Sequence, residues 1–124
     1  MIIKGSEWRK WNFHVHTKGT NKNDQFASST TEDFFYIFFK AASEYKIEAI
    51  GITDYFSINR YLEAVVYVSE IENKKNTIGE KLFTDEEIAF IKGIFLFPNV
   101  ELRMLPATDK GRLINIHCLF NPEY

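Results

Sequence analysis

Apolar positions along the chain recur in two alternating periods. Residues 11–17, Trp-Asn-Phe-His-Val-His-Thr, follow the two-residue period of a strand and run into the polar stretch Lys18 to Ser28. Ser29, with Glu32 three residues later, has capping-box spacing and opens an apolar helix expected over 31–45. Residues 49–54, Ala-Ile-Gly-Ile-Thr-Asp, form a short apolar run stopped by an acid, the pattern of a buried parallel strand. A second helix is expected over 58–72 and a polar break over 73–77. Thr84 with Glu87 then starts a short helix ending near Gly93. Residues 94–102 read as a strand broken or bent at Pro98, 106–111 as a turn, and 113–120 as a final strand. The order β-α-β-α-α-β-β predicts an α/β fold: two βα units with parallel strands, a short helix, and a terminal β-hairpin. The hairpin is antiparallel because its connection is too short for a crossover.

Composition bounds this picture. The chain has 124 residues. That is the size of one domain and too short for a closed (β/α)8 barrel, which needs about 200 or more. With 45% hydrophobic and 26% charged residues it is a globular composition, so disorder is excluded. A net charge of −2 excludes a broadly basic surface that neutralises nucleic-acid phosphates, although a local site remains open to them. The single Cys118 rules out an internal disulfide and suits a reducing compartment. No membrane span or signal peptide is read, and the expectation is a cytoplasmic chain. Twelve Phe is the unusual count. Phe34, Phe35, Phe38 and Phe39 exceed one helical face, and the excess suggests surface for self-association or another segment.

The chemistry-bearing residues fall at strand ends. His14 and His16 are two apart, so regular alternation puts both on one face, with Phe13 and Val15 toward the core. A pair of imidazoles there suits a divalent ion such as zinc, manganese or iron. In the final strand His117 shares a face with Asn115, opposite Ile114, Ile116, Cys118 and Phe120. Asp54 and Glu101 each close an apolar run, at the carboxyl-end edge where parallel sheets gather ligands and catalytic groups. Lys18-Gly19-Thr20-Asn21-Lys22 lacks phosphate-loop spacing. Arg9, Lys10, Lys18 and Arg103 could meet nucleic-acid phosphates near the site but read first as a solvated face, and Cys118 reads as a core residue.

The set Asn12-Phe13-His14-Val15-His16-Thr17, Ile52-Thr53-Asp54-Tyr55, Asn99-Val100-Glu101 and Asn115-Ile116-His117-Cys118-Leu119 resembles the motifs of PHP domains, the polymerase and histidinol phosphatase superfamily. Gly5-Ser6-Glu7-Trp8-Arg9-Lys10-Trp11, Gly51 to Ile58 and Phe97 to Arg103 are most similar to the N-terminal PHP region of TrlF-type, AAA-like or SMC-like ATPases. The resemblance implies part of a distorted (β/α)7 barrel that hydrolyses phosphoesters, nucleic-acid ends among them, and works with an ATPase domain or subunit. It further implies one or two ions (Mn, Zn or Fe): His14 and His16 on the first, Glu101 bridging, His117 on the second, with Asp54 and Glu101 in catalytic positions. The chain departs from the pattern at Asn12, where the motif has aspartate, and at Tyr55, where it has histidine. The pattern's later histidine and aspartate ligands are expected beyond residue 124. The alternative is a truncated or degenerate, non-catalytic PHP module with a docking or regulatory role.

Overall fold

The computed structural model describes residues 8–19, 30–104 and 108–123. In chain order the elements are β1 (Lys10–His16), α1 (Thr31–Glu44), β2 (Ile47–Tyr55), α2 (Asn59–Ser69), a 3-10 turn (Ile71–Asn73), α3 (Asp85–Lys92), β3 (Phe95–Met104) and β4 (Ile114–Leu119). The four strands form one sheet in the order β1-β2-β3-β4. β1, β2 and β3 are parallel, and β4 returns antiparallel to β3. The expected α/β class and terminal hairpin are therefore present.

Local chemistry explains the boundaries. The Thr84 hydroxyl accepts from the Glu87 N–H, and the Glu87 carboxylate accepts from the Thr84 N–H, a complete capping box. Lys40 on α1 also reaches Glu87, at 2.9 Å. Burial alone would raise the Glu87 carboxyl, but the Thr84 donors and the Lys40 ammonium together hold it below the ordinary range. α1 is capped by Thr30, whose hydroxyl accepts from the Asp33 N–H, and not by the expected Ser29, which lies outside the described residues. Both Ser29/Glu32 and Thr30/Asp33 satisfy the motif spacing, so sequence alone did not separate them. α2 stops at Ser69, short of the expected 72. There the Ser69 hydroxyl donates to the Val66 carbonyl and the chain tightens into the 3-10 turn.

β3 runs unbroken through Pro98, contrary to the expected bend. The Pro98 carbonyl accepts from the Phe120 N–H, so its missing donor points to the same side, just beyond the last β3–β4 pair, Asn99 with Leu119. No ladder bond within the paired strands is lost.

The core lies between the helices and the Ile50/Ile52 face of β2, with Phe35, Phe39, Tyr67, Phe83 and Ile91 at its centre. Phe39 stacks on Tyr67 at 5.7 Å with the rings 9° from parallel. Phe34, Phe35 and Phe39 are buried and Phe38 packs against them, so the α1 phenylalanines are spent on this core. Exposed apolar side chains include Trp11, Phe13, Phe95, Leu119 and Phe120 along the other face and edge of the sheet, with Ile37 on α1 and Leu62 and Val66 on α2. No helix among the described residues is long and apolar enough to cross a membrane.

Candidate metal centre

The site is built on the sheet face turned away from the helices. Register sets it: Tyr55 of β2 lies beside Glu101 of β3, and Glu101 beside His117 of β4, so three strands present side chains at one level. β1 joins through an irregularity. Asn12 pairs with Ile50 and Val15 with Ile52, so Phe13 and His14 together oppose Gly51 alone. Two residues against one is a β-bulge, which turns consecutive side chains toward one face. Phe13 therefore shares the face of the histidines, contacting Phe97 at 5.6 Å, instead of facing the core as alternation predicts. Val15 does pack against the core.

Gly51 makes the bulge possible. A Cβ at this position would lie 2.2 Å from the Phe13 carbonyl oxygen and 2.8 Å from the Phe97 ring. That carbonyl is held by Asn99, whose side-chain amide donates to it at 2.7 Å. The Asn12 side chain accepts from the His14 N–H at 3.3 Å, closing the other side of the bulge.

Glu101 is 3% exposed. Its Oε2 lies 3.1 Å from His16 Nε2 and 3.5 Å from His14 Nε2, and the two imidazole nitrogens are 2.9 Å apart. Ligand atoms of His14, Glu101 and His117 also fall within 4.8 Å of one another. The four expected ligands thus converge, with His14 and Glu101 common to both groupings. Two donors about 2.0–2.2 Å from one ion and about 90–110° apart lie about 2.8–3.6 Å from each other, which is the spacing of His14, His16 and Glu101. Glu101 Oε2 and His16 Nδ1 are buried and make no hydrogen bond among the described residues. A buried carboxylate oxygen facing two imidazoles without a hydrogen bond fits a cation. Burial, then the neighbouring His117 and His16, push the His14 pKa below its ordinary 6.5 against the pull of Glu101, so its ring is a neutral donor at neutral pH.

Asn99, which sequence reasoning quoted only as part of a motif, fixes His117. Its NH2 is committed to the Phe13 carbonyl, so its Oδ1 faces His117 Nδ1, at 3.1 Å, and must accept. His117 is thereby the Nδ1–H tautomer, with its Nε2 lone pair free for a ligand role. The signal was legible as a polar residue inside the apolar run 94–100, and the structure buries it to 2% exposure.

Asp54 projects to the opposite face from Tyr55. Its carboxylate accepts from the Tyr55 N–H at 2.8 Å and the Ser57 hydroxyl at 2.7 Å, with Arg60 Nε 3.7 Å away. It braces the turn into α2 and is not among the converging ligands. Phe56 in that turn takes a left-handed conformation, φ 57°, which is costly for an aromatic residue, and its N–H donates to the Glu101 carbonyl at 3.3 Å. Tyr55 occupies the site side: its ring stacks on His16 at 5.2 Å, 22° from parallel.

Comparison with protein-family models, curated proteins and solved structures finds no match to this chain. The functional reading therefore rests on the geometry above and on the motif set.

Proposed function

We propose that this chain is a PHP-like metal-binding unit, part of a distorted (β/α)7 barrel, that hydrolyses phosphoesters, nucleic-acid ends among them, in association with an ATPase domain or subunit. The observation that carries the reading is the convergence of His14, His16, Glu101 and His117 from three strands, in the order the motifs require. His14 and His16 with Glu101 would hold one ion, and Glu101 with His117 a second. Bound there, manganese, zinc or iron supplies a Lewis acid for a phosphoryl oxygen and an acidified water. The chain's own contribution is neutral imidazoles and one buried carboxylate. That set leaves a divalent ion's charge only partly neutralised, which favours an anionic ester. Asn99 holds His117 in one tautomer, and Gly51 admits the bulge that brings His14 level with Glu101.

A second reading, a non-catalytic PHP module for docking or regulation, draws on Tyr55 at a ligand position of the pattern and on the exposed apolar row Trp11, Phe13, Phe95 and Leu119. The discriminating experiment loads the purified chain with Mn2+ and follows cleavage of bis(p-nitrophenyl) phosphate. The enzymatic reading predicts metal-dependent turnover that falls at least about a hundredfold in the double variant H14A/H16A. Bound metal with no cleavage of diester or monoester would select the docking module. Absence of bound metal would remove the enzymatic reading and leave the docking module.

A further inference from the structure

Arg103 is a cation that the sheet register places on the same face as the ligand cluster. It lies two residues beyond Glu101 on β3 and therefore on the same face, paired in register with Asn115 of β4. Its guanidinium carbon stands 5.1 Å from the Tyr55 ring centroid, and its Nη2 donates to the Tyr55 hydroxyl at 3.3 Å. Tyr55 is 4% exposed, so this platform is fixed, and its ring in turn stacks on the ligand His16. The other well-placed arginines are committed to carboxylates, Arg9 to Glu48 and Arg60 to Glu63. Among the described residues Arg103 pairs with no carboxylate, and it is exposed. One edge of its fork is pinned by the tyrosine, and the remaining N–H donors are free for a planar pair of oxygens.

We propose that Arg103 is the phosphoryl-oxygen clamp of this centre, with Tyr55 as the positioning residue that aims it. The inference deepens the phosphoester reading and rests on it. For Arg103 it favours phosphate contact, the alternative that the sequence left open, over a solvated face. Arginine is suited to this task because its rigid fork meets two phosphoryl oxygens at once, which a lysine ammonium does not. Stacking on Tyr55 limits the rotamer freedom lost when an anion binds. Tyr55 thus gives the strand-end position after Asp54 a task other than ligation.

The test measures binding of inorganic phosphate to the Mn2+-loaded chain by calorimetry, beside Mn2+ stoichiometry and the urea unfolding midpoint. R103A and R103Q are expected to keep the metal and bind phosphate about tenfold to a hundredfold more weakly. R103K should recover only part of the loss, because charge returns without the fork. Y55F keeps the ring and loses the hydroxyl. It should weaken phosphate about threefold and raise KM for a phosphoester while kcat stays constant. Unchanged phosphate affinity in R103A and R103Q, with metal still bound, would overturn the clamp and leave the metal centre standing. A wild-type chain that binds no Mn2+ would overturn the phosphoester reading and the clamp with it. A shifted unfolding midpoint shared by R103A, R103Q and R103K, with phosphate affinity following it, would reduce Arg103 to a structural prop.

Discussion

Gly51→Ala adds one methyl group at the position where the fold has least room for it. The new Cβ would lie 2.2 Å from the Phe13 oxygen and 2.8 Å from the Phe13 carbonyl carbon, against an ordinary contact of 3.4 Å or more. The shortfall is about 1.2 Å, and the obstruction is backbone, so no rotamer change relieves it. β1 must retreat from β2, and the bond from the Asn99 amide to the Phe13 carbonyl, now 2.7 Å, opens beyond the hydrogen-bonding limit. Overpacking costs about 1–3 kcal/mol and the lost buried bond about 1 kcal/mol more, so the expected destabilisation is about 2–4 kcal/mol. That is a large fraction of a typical domain's stability. The same retreat carries His14 away from Glu101 by more than metal–ligand distances tolerate, and Mn2+ affinity should fall at least about tenfold. Urea unfolding followed by circular dichroism reads the first effect, and calorimetric titration the second. Gly79→Ala is the control: its Cβ meets nothing, but φ is +84°, so it should cost about 1 kcal/mol through backbone strain alone and leave metal binding intact. If G51A unfolds at the wild-type urea concentration and binds Mn2+ equally, the bulge does not position the site.

Further outcomes follow from other contacts. N99A removes the partner of both the Phe13 carbonyl and His117 Nδ1, and should lower metal affinity about tenfold to a hundredfold by titration. N99D should recover part of it through His117 alone, since a carboxylate cannot donate to Phe13. D54N loosens the turn from β2 into α2 and should lower the urea midpoint by the equivalent of about 1–2 kcal/mol with metal stoichiometry unchanged. Loss of metal in D54N would place that carboxylate in the centre. E87Q gives up the charge that Thr84 and Lys40 stabilise, and should cost about 0.5–1 kcal/mol at neutral pH. The Glu87 carboxyl is depressed in the folded chain, so its contribution is full above the unfolded value and is lost as pH falls through the folded one. The gap between E87Q and wild type should therefore close in acid, which unfolding curves at several pH values will read. The His14 pKa is likewise depressed. Its ring therefore competes with protons for a metal less than an ordinary imidazole does, and metal binding should hold at neutral pH and weaken in acid, as titrations across the range will show.

Most of the fold was legible because its signals are local. The periods of residues 31–45 and 94–102 and the Thr84/Glu87 box name their elements without reference to the rest of the chain. What the sequence hid were properties of pairs of strands. Strict alternation sends Phe13 to the core, and only the register of β1 against β2 reveals that Phe13 and His14 share one position opposite Gly51. An isolated glycine inside an apolar strand was the available hint of a close backbone approach. The candidate ligands His14, His16, Glu101 and His117 were legible as polar residues at strand ends, and the sheet does bring them together. Asp54 has the same sequence signature, yet an odd-or-even step along β2 turns it to the other face, toward Ser57 and Arg60. The roles of Asn99 and Arg103 depend on partners at sequence separations of 86 and 48, which no local pattern encodes.

The central claim is that His14, His16, Glu101 and His117 form one metal-holding centre. Its most direct test is the number of Mn2+ or Zn2+ ions retained per metal-stripped chain after titration, in wild type and in E101Q. Glu101 belongs to both groupings and is their one carboxylate, so wild type should retain one or two ions and E101Q should lose at least about tenfold in affinity with its fold intact. No retained ion in wild type, or equal retention in E101Q, would contradict the account.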